Sequence, residues 1–93
     1  MDISKKQYKL LKNGQTLTLY WDKDHDIRYT INLKFKDLNY IVNSYYFDSN
    51  DVMDDTNYKE EETQKYLEIQ DVIDYINKKF PELNWDDFSS NRF

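Results

Sequence analysis

The chain has 93 residues, 39% of them hydrophobic, no cysteine and a formal net charge of −5. That length builds one compact domain without a second core or a deep buried cleft, and the absence of cysteine excludes a disulfide framework and a thiolate zinc site. No apolar run approaches the roughly 20 residues that cross a bilayer, and Met1-Asp2-Ile3-Ser4-Lys5-Lys6 lacks the apolar segment of a leader, so a soluble, cytoplasmic protein is expected.

The first local signal is Asn13-Gly14, the pair that most readily supplies the two positive φ angles of a type I′ hairpin turn. A hairpin there sets Leu10 opposite Leu17 and Tyr8 opposite Leu19. A second reading starts a helix at Ser4, whose spacing to Gln7 fits a capping box, and ends it at Gly14. The hairpin is preferred, because a helix leaves Leu10 and Leu11 with few periodic partners.

Leu17-Thr18-Leu19-Tyr20-Trp21 alternates as a strand does. A short polar loop, Asp22 to Asp26, joins it to Ile27, Tyr29, Ile31, Leu33 and Phe35, which alternate with Arg28, Thr30, Asn32 and Lys34. Lys36-Asp37-Leu38-Asn39 turns the chain into Tyr40 to Phe47, apolar or aromatic on both faces.

Residues 48–57 form an acidic loop rich in turn formers. Asn57, with Glu60 three residues on, predicts a helix start, and Glu60, Glu61 and Glu62 suit the positive end of its dipole. Tyr66, Ile69, Ile73, Ile76 and Phe80 make an apolar stripe that Pro81 stops. Leu83, Trp85 and Phe88 are expected to fold back as a short turn capped by Asn84.

The fold class expected is α+β: a four-stranded antiparallel meander, one long C-terminal helix packed on one face, and a short terminal helical turn. A single domain spans 1–93, with sheet 7–47, acidic loop 48–57, helix 58–80 and tail 81–93.

Little in the chain points to chemistry. His25, between Asp24 and Asp26, sits in a polar hairpin loop without a nucleophile motif and reads as a solvated turn residue. Asp22-x-Asp24-x-Asp26 resembles the start of a calcium loop, but Ile27 stands where the glycine is required and Leu33 where the bidentate glutamate is required. Asp48-x-Asn50 fails the same test at Lys59. One glycine cannot build a phosphate loop, and Asp54-Asp55 and Asp86-Asp87 read as too exposed for raised pKa values. No enzyme activity, cofactor or metal is expected.

What remains is surface. Residues 1–47 carry five acids against eight bases, and residues 48–93 carry thirteen against five. The rear acids, including Glu68, Asp71, Asp74, Asp86 and Asp87, are expected to converge on one electronegative face. The plain alternative is the solvated side of a helix, which Glu61 with Lys65 and Asp74 with Lys78 fit as i,i+4 pairs. Nine Tyr, five Phe and two Trp exceed what a small core uses, so Tyr40, Tyr45, Tyr46, Phe47, Trp21, Tyr58 and Trp85 supply candidate partner anchors. Missing Ala and abundant Lys, Asn, Ile and Tyr also reflect an AT-rich code, which accounts for some of these rings. The partner-binding set expected is Asp48, Asp51, Asp54, Asp55, Tyr58, Glu60, Glu61, Glu62, Tyr45 and Tyr46.

In general character, with clusters such as Asp48-Ser49-Asn50-Asp51 and Lys59-Glu60-Glu61-Glu62, the chain resembles small acidic phage-encoded inhibitors of host defence, the anti-CRISPR and DNA-mimic proteins. The resemblance carries no family motif, so no functional residue is transferred from it. It implies a non-enzymatic, stoichiometric block of the DNA-binding groove of a CRISPR nuclease in a bacterial cytoplasm, without direct contact to nucleic acid. Two other readings stand beside it. One is an immunity protein that neutralises a basic toxin; the other is a sheet module that holds single-stranded nucleic acid through Arg28, Lys34, Lys36 and Tyr20.

Overall fold

The structure, a computed structural model, describes residues 3–23, 26–48 and 58–90. In chain order it runs α1 (Lys5–Lys12), β1 (Leu17–Asp22), β2 (Ile27–Lys36), β3 (Asn39–Asp48), β4 (Tyr58–Tyr66), α2 (Ile69–Lys79), a 3-10 turn (Trp85–Asp87) and β5 (Ser89–Ser90). The strands form one antiparallel sheet in the order β4-β3-β2-β1-β5. The fold is thus α+β with an antiparallel sheet. It differs from expectation in having five strands rather than four, and two helices rather than one long one.

The first correction concerns the N-terminus. Ser4 closes a capping box, with the Gln7 amide donating to Ser4 Oγ at 3.1 Å and the Ser4 amide donating to Gln7 Oε1 at 2.9 Å. At the far end Gly14 adopts φ +90°, its amide donates to the Leu11 carbonyl and that of Gln15 to the Leu10 carbonyl. These are the two bonds of a Schellman stop, which the positive φ of a glycine makes possible. Asn13-Gly14 therefore ends a helix and does not turn a hairpin. The type I′ turn lies instead at Asp37-Leu38, where φ is 53° and 66° between the paired residues Lys36 and Asn39.

The second correction concerns 58–80. Residues 58–66 pair antiparallel with β3, from Phe47 opposite Tyr58 to Tyr40 opposite Tyr66, and the helix begins only at Ile69. Glutamate, lysine and glutamine favour helix by only a few tenths of a kcal/mol each, a preference that a continuous ladder along a strand with an open edge overrides. Glu60, not the expected helix start, sits at φ 50°, and with Glu61 it opposes the single residue Tyr45, a β-bulge. Asn57 lies outside the described residues.

β1 and β2 keep the alternation read from their sequences, and β3, expected to be apolar or aromatic on both faces, pairs with β2 along its whole length. Leu17, Leu19, Ile31, Leu33, Tyr40 and Val42 line one face of the sheet. The helical layer on that face supplies Leu11, Val72, Ile73, Ile76, Phe80, Leu83, Trp85 and Phe88, which complete one core. The stripe expected of the helix therefore holds at Ile73 and Ile76. Tyr66 belongs to β4 yet still meets Tyr75 of α2 at a ring separation of 5.8 Å. Phe80 caps α2 just before Pro81.

The tail folds back as expected. Asn84 Oδ1 accepts from the Asp86 amide, and Trp85 is buried with its indole N–H donating to Asn77 Oδ1 at 2.9 Å. Beyond the turn, Ser89 and Ser90 pair with Thr18 and Leu17. Gln7, only 7% exposed, joins the two ends of the chain, since its Nε2 donates to the carbonyls of Trp85 at 2.7 Å and Phe88 at 3.1 Å.

Two stability measurements test this account. Gln7→Ala removes a buried donor from the Phe88 carbonyl and from that of Trp85, which keeps the Phe88 amide, and is expected to lower unfolding free energy by about 1–2 kcal/mol, read from urea titrations. Leu38→Gly relieves a left-handed, 77% exposed leucine and is expected to raise it by about 0.5–1 kcal/mol in the same assay.

Candidate binding surfaces

The ten residues expected to form one partner surface are not brought together. Asp51, Asp54 and Asp55 lie outside the described residues, as does His25 of the β1–β2 loop. Asp48 ends β3 opposite Ile27, and Tyr58 opens β4 opposite Phe47. The strand alternates its side chains where a helix would have grouped them, so Glu61 and Glu62 face opposite sides of the sheet. Tyr45 and Tyr46 separate in the same way. Tyr46 is on the helix side, its ring 5.3 Å from that of Tyr29. Of the remaining rings singled out, Tyr40 and Trp85 are buried, Trp21 is half-buried, and Phe47 is exposed.

Glu62 is committed to structure. Its Oε2 lies 2.5 Å from Lys79 Nζ, and its Oε1 accepts from the Tyr75 hydroxyl at 2.9 Å and from Gln64 Nε2 at 2.8 Å. These donors, Lys79 first, hold the carboxyl at about 2, well below its ordinary 4.5. Burial raises the Tyr75 phenol, and its bond to the Glu62 carboxylate raises it further. The cluster ties β4 to α2. Its chemistry is that of a satisfied ion pair, with no group poised to give or take a proton near neutrality.

Asp22, Asp26 and Asp37 are exposed at the β1–β2 and β2–β3 ends of the sheet, and most of the other exposed acids of the described residues lie along β4, α2 and the tail. Glu60 lies in the bulge, while Glu61 beside it turns to the opposite face of the sheet; Glu68 is the N-cap residue of α2, and Asp71 and Asp74 lie one turn apart on its outer side. Glu82, Asp86 and Asp87 continue the series beyond the helix. Against them, α1 presents Lys5, Lys6, Lys9 and Lys12. α1 is therefore basic, whereas α2 carries Asp71 and Asp74 in its first turns and Lys78 and Lys79 in its last. Glu68, Asp71, Asp74, Asp86 and Asp87 are among the acids singled out in the sequence but fall outside the expected partner-binding set.

The opposite face of the sheet is built in cross-strand rows. Asp22 and Arg28 make one, joined by a 2.7 Å ion pair, with Phe47 beside them. Tyr20, Thr30 and Tyr45 follow, then Thr18, Asn32, Asn43 and Thr63, then Lys34, Ile41 and Lys65. Tyr20 is 63% exposed, the most open ring in the described chain. No described helix crosses this face, since the core contacts of α1 and α2 are all on the other one.

Among the described residues no group of three or more His, Asp or Glu side chains is placed to hold a metal ion, and no helix is long and apolar enough to cross a membrane. Comparison of the chain with protein-family models, with curated proteins and with solved structures finds no match.

The depressed Glu62 pKa sets a pH dependence. A carboxyl whose folded value lies below its unfolded one stabilises above about 4.5 and loses that contribution as pH falls toward about 2. Because the Glu62 side chain is 40% exposed, the contribution is on the order of 1 kcal/mol. Urea unfolding of Glu62→Gln is expected to show that deficit at pH 7 and to converge with the parent protein near pH 2.

Proposed function

We propose that the protein is a non-enzymatic binding protein that engages a basic macromolecular partner through the acidic side formed by β4 and α2. The observation that carries this reading is the segregation of charge. Glu60, Glu68, Asp71 and Asp74 are exposed along one contiguous strand, turn and helix, and among the described residues of that stretch Glu62 is the carboxylate closed by a lysine. Leu67, 73% exposed within that acidic turn, adds an apolar contact of the kind that charge alone lacks.

The partner class that fits is a host nucleic-acid-binding protein, such as a defence nuclease, with the carboxylates standing in for backbone phosphates in its basic groove. The protein then acts stoichiometrically, as an inhibitor of anti-CRISPR type made in a bacterial cytoplasm. Long-range attraction between the two surfaces speeds encounter and weakens as salt rises, because the Debye length falls to roughly 8 Å at physiological ionic strength.

The test is affinity capture from a bacterial host lysate, followed by binding measurements on the nuclease recovered. The double variant Asp71→Lys and Asp74→Lys is expected to keep its circular dichroism spectrum and to lose affinity about tenfold or more, with a steep salt dependence in the parent protein only. Equal capture and equal inhibition by the variant would rule out the α2 surface.

A further inference from the structure

Between the asparagine row and the lysine row, the open face of the sheet holds a concavity of about 310 Å³ lined by Thr16, Asn32, Lys34, Ile41, Asn43 and Thr63. We propose that this concavity and the aromatic rows beside it bind single-stranded nucleic acid, with one base seated against Asn32 and Asn43 and the adjoining phosphates at Lys34 and Lys65. The inference is independent of the acidic side, because it uses the other face of the sheet and none of the same residues.

The two asparagines sit directly opposite each other on β2 and β3. Asn32 accepts from the Thr18 hydroxyl through Oδ1 at 2.8 Å, and Asn43 donates to Thr63 Oγ1 through Nδ2 at 3.0 Å. Each amide is thereby oriented by a threonine through one end. The other ends, the NH₂ of Asn32 and the carbonyl oxygen of Asn43, remain as a donor and an acceptor side by side. That pairing matches the donor–acceptor edge of an unpaired base, which a duplex keeps engaged and a single strand leaves available.

The flanking rows supply the rest of a strand's chemistry. On one side Lys34 and Lys65 bracket Ile41, two ammonium groups placed for phosphate oxygens around an apolar floor. On the other side, one row away along the strands, stand Tyr45 and the open ring of Tyr20, followed by Phe47. Rings on an open sheet face stack bases irrespective of sequence, and each such contact contributes roughly 1–3 kcal/mol. The volume is at the low end for a small-molecule site, suited to one base and open to its neighbours.

Two acids share the face. Asp22 is closed on Arg28, and Glu61 stands at the bulge opposite Tyr45, outside the lining of the concavity. The acids of α2 and the 3-10 turn belong to the opposite layer of the molecule.

The experiment is fluorescence anisotropy of a labelled uridine octamer and a labelled thymidine octamer with the full chain, at low and physiological ionic strength. Saturable binding that weakens with salt is expected. Lys34→Glu and Asn43→Ala are each expected to weaken it about fivefold or more, as is Tyr20→Ala, whose exposed ring is removed without disturbing the core. Circular dichroism confirms that each variant folds. The double variant Asp71→Lys and Asp74→Lys, which tests the acidic side, is expected to bind the octamers at least as well as the parent. Absence of binding at low salt would overturn the proposal, as would unchanged affinity in Lys34→Glu and Asn43→Ala. Equal affinity for a duplex of the same length, or full competition by uridine monophosphate at the octamer's own affinity, would equally overturn it.

Discussion

The structure depends on burying one face of a sheet that cannot bury itself. Leu17, Leu19, Ile31, Leu33 and Val42 present an apolar surface, and the chain covers it from both ends. Leu11 comes from the first helix, Val72, Ile73 and Ile76 from the second, and Trp85 and Phe88 from the tail. Gln7 makes this arrangement specific. An apolar side chain there would pack, but only an amide satisfies the carbonyls of Trp85 and Phe88 while also closing the cap at Ser4. Helix, tail and β1 are thereby held as one unit, with β5 pairing at the same corner.

That one-sided burial determines what the rest of the surface can do. With both helices on the same side, the other face of the sheet is left to asparagine, threonine, lysine and tyrosine in ordered rows. Glu60, Glu68, Asp71 and Asp74 lie on the β4 and α2 side. A chain whose net charge is acidic thus carries a sheet face where lysines and rings stand together, and a helical edge where carboxylates do. Charge totals describe neither surface, because the fold decides which side of the molecule each charge faces.

The places where sequence reading failed share a cause. Asn13-Gly14 is a strong local turn signal, but the same positive φ serves a helix stop, and the choice between them rests on whether Leu11 finds a core. In the structure it does, against the sheet and the tail, a long-range contact no local pattern contains. Conversely the I′ turn at Asp37-Leu38 has neither asparagine nor glycine. There the strands on either side, ten residues each and in continuous register, impose a conformation the turn residues do not favour. Residues 58–66 read as helix because glutamate and lysine like helices, and they became a strand because β3 offered an edge. That single change divided Glu61 from Glu62 and moved Glu62 from a partner surface into an ion pair with Lys79.

Strong periodicity was enough where one face is buried over several residues. The alternation of β1 and β2, the apolar spacing of Ile69, Ile73 and Ile76, the stop at Pro81 and the capped turn after Asn84 were all legible from residue order, because each follows from local geometry and the need to hide apolar side chains. Tertiary structure alone decided the identity of the first and fifth elements, α1 and β4, the added strand β5, and which polar residues meet across the sheet. The opposition of Asn32 to Asn43, of Lys34 to Ile41 and Lys65, and of Gln7 to the carbonyls of the tail arises from register and from contacts far apart in the chain. The free energy that sets them belongs to pairs of elements, and no single segment carries it.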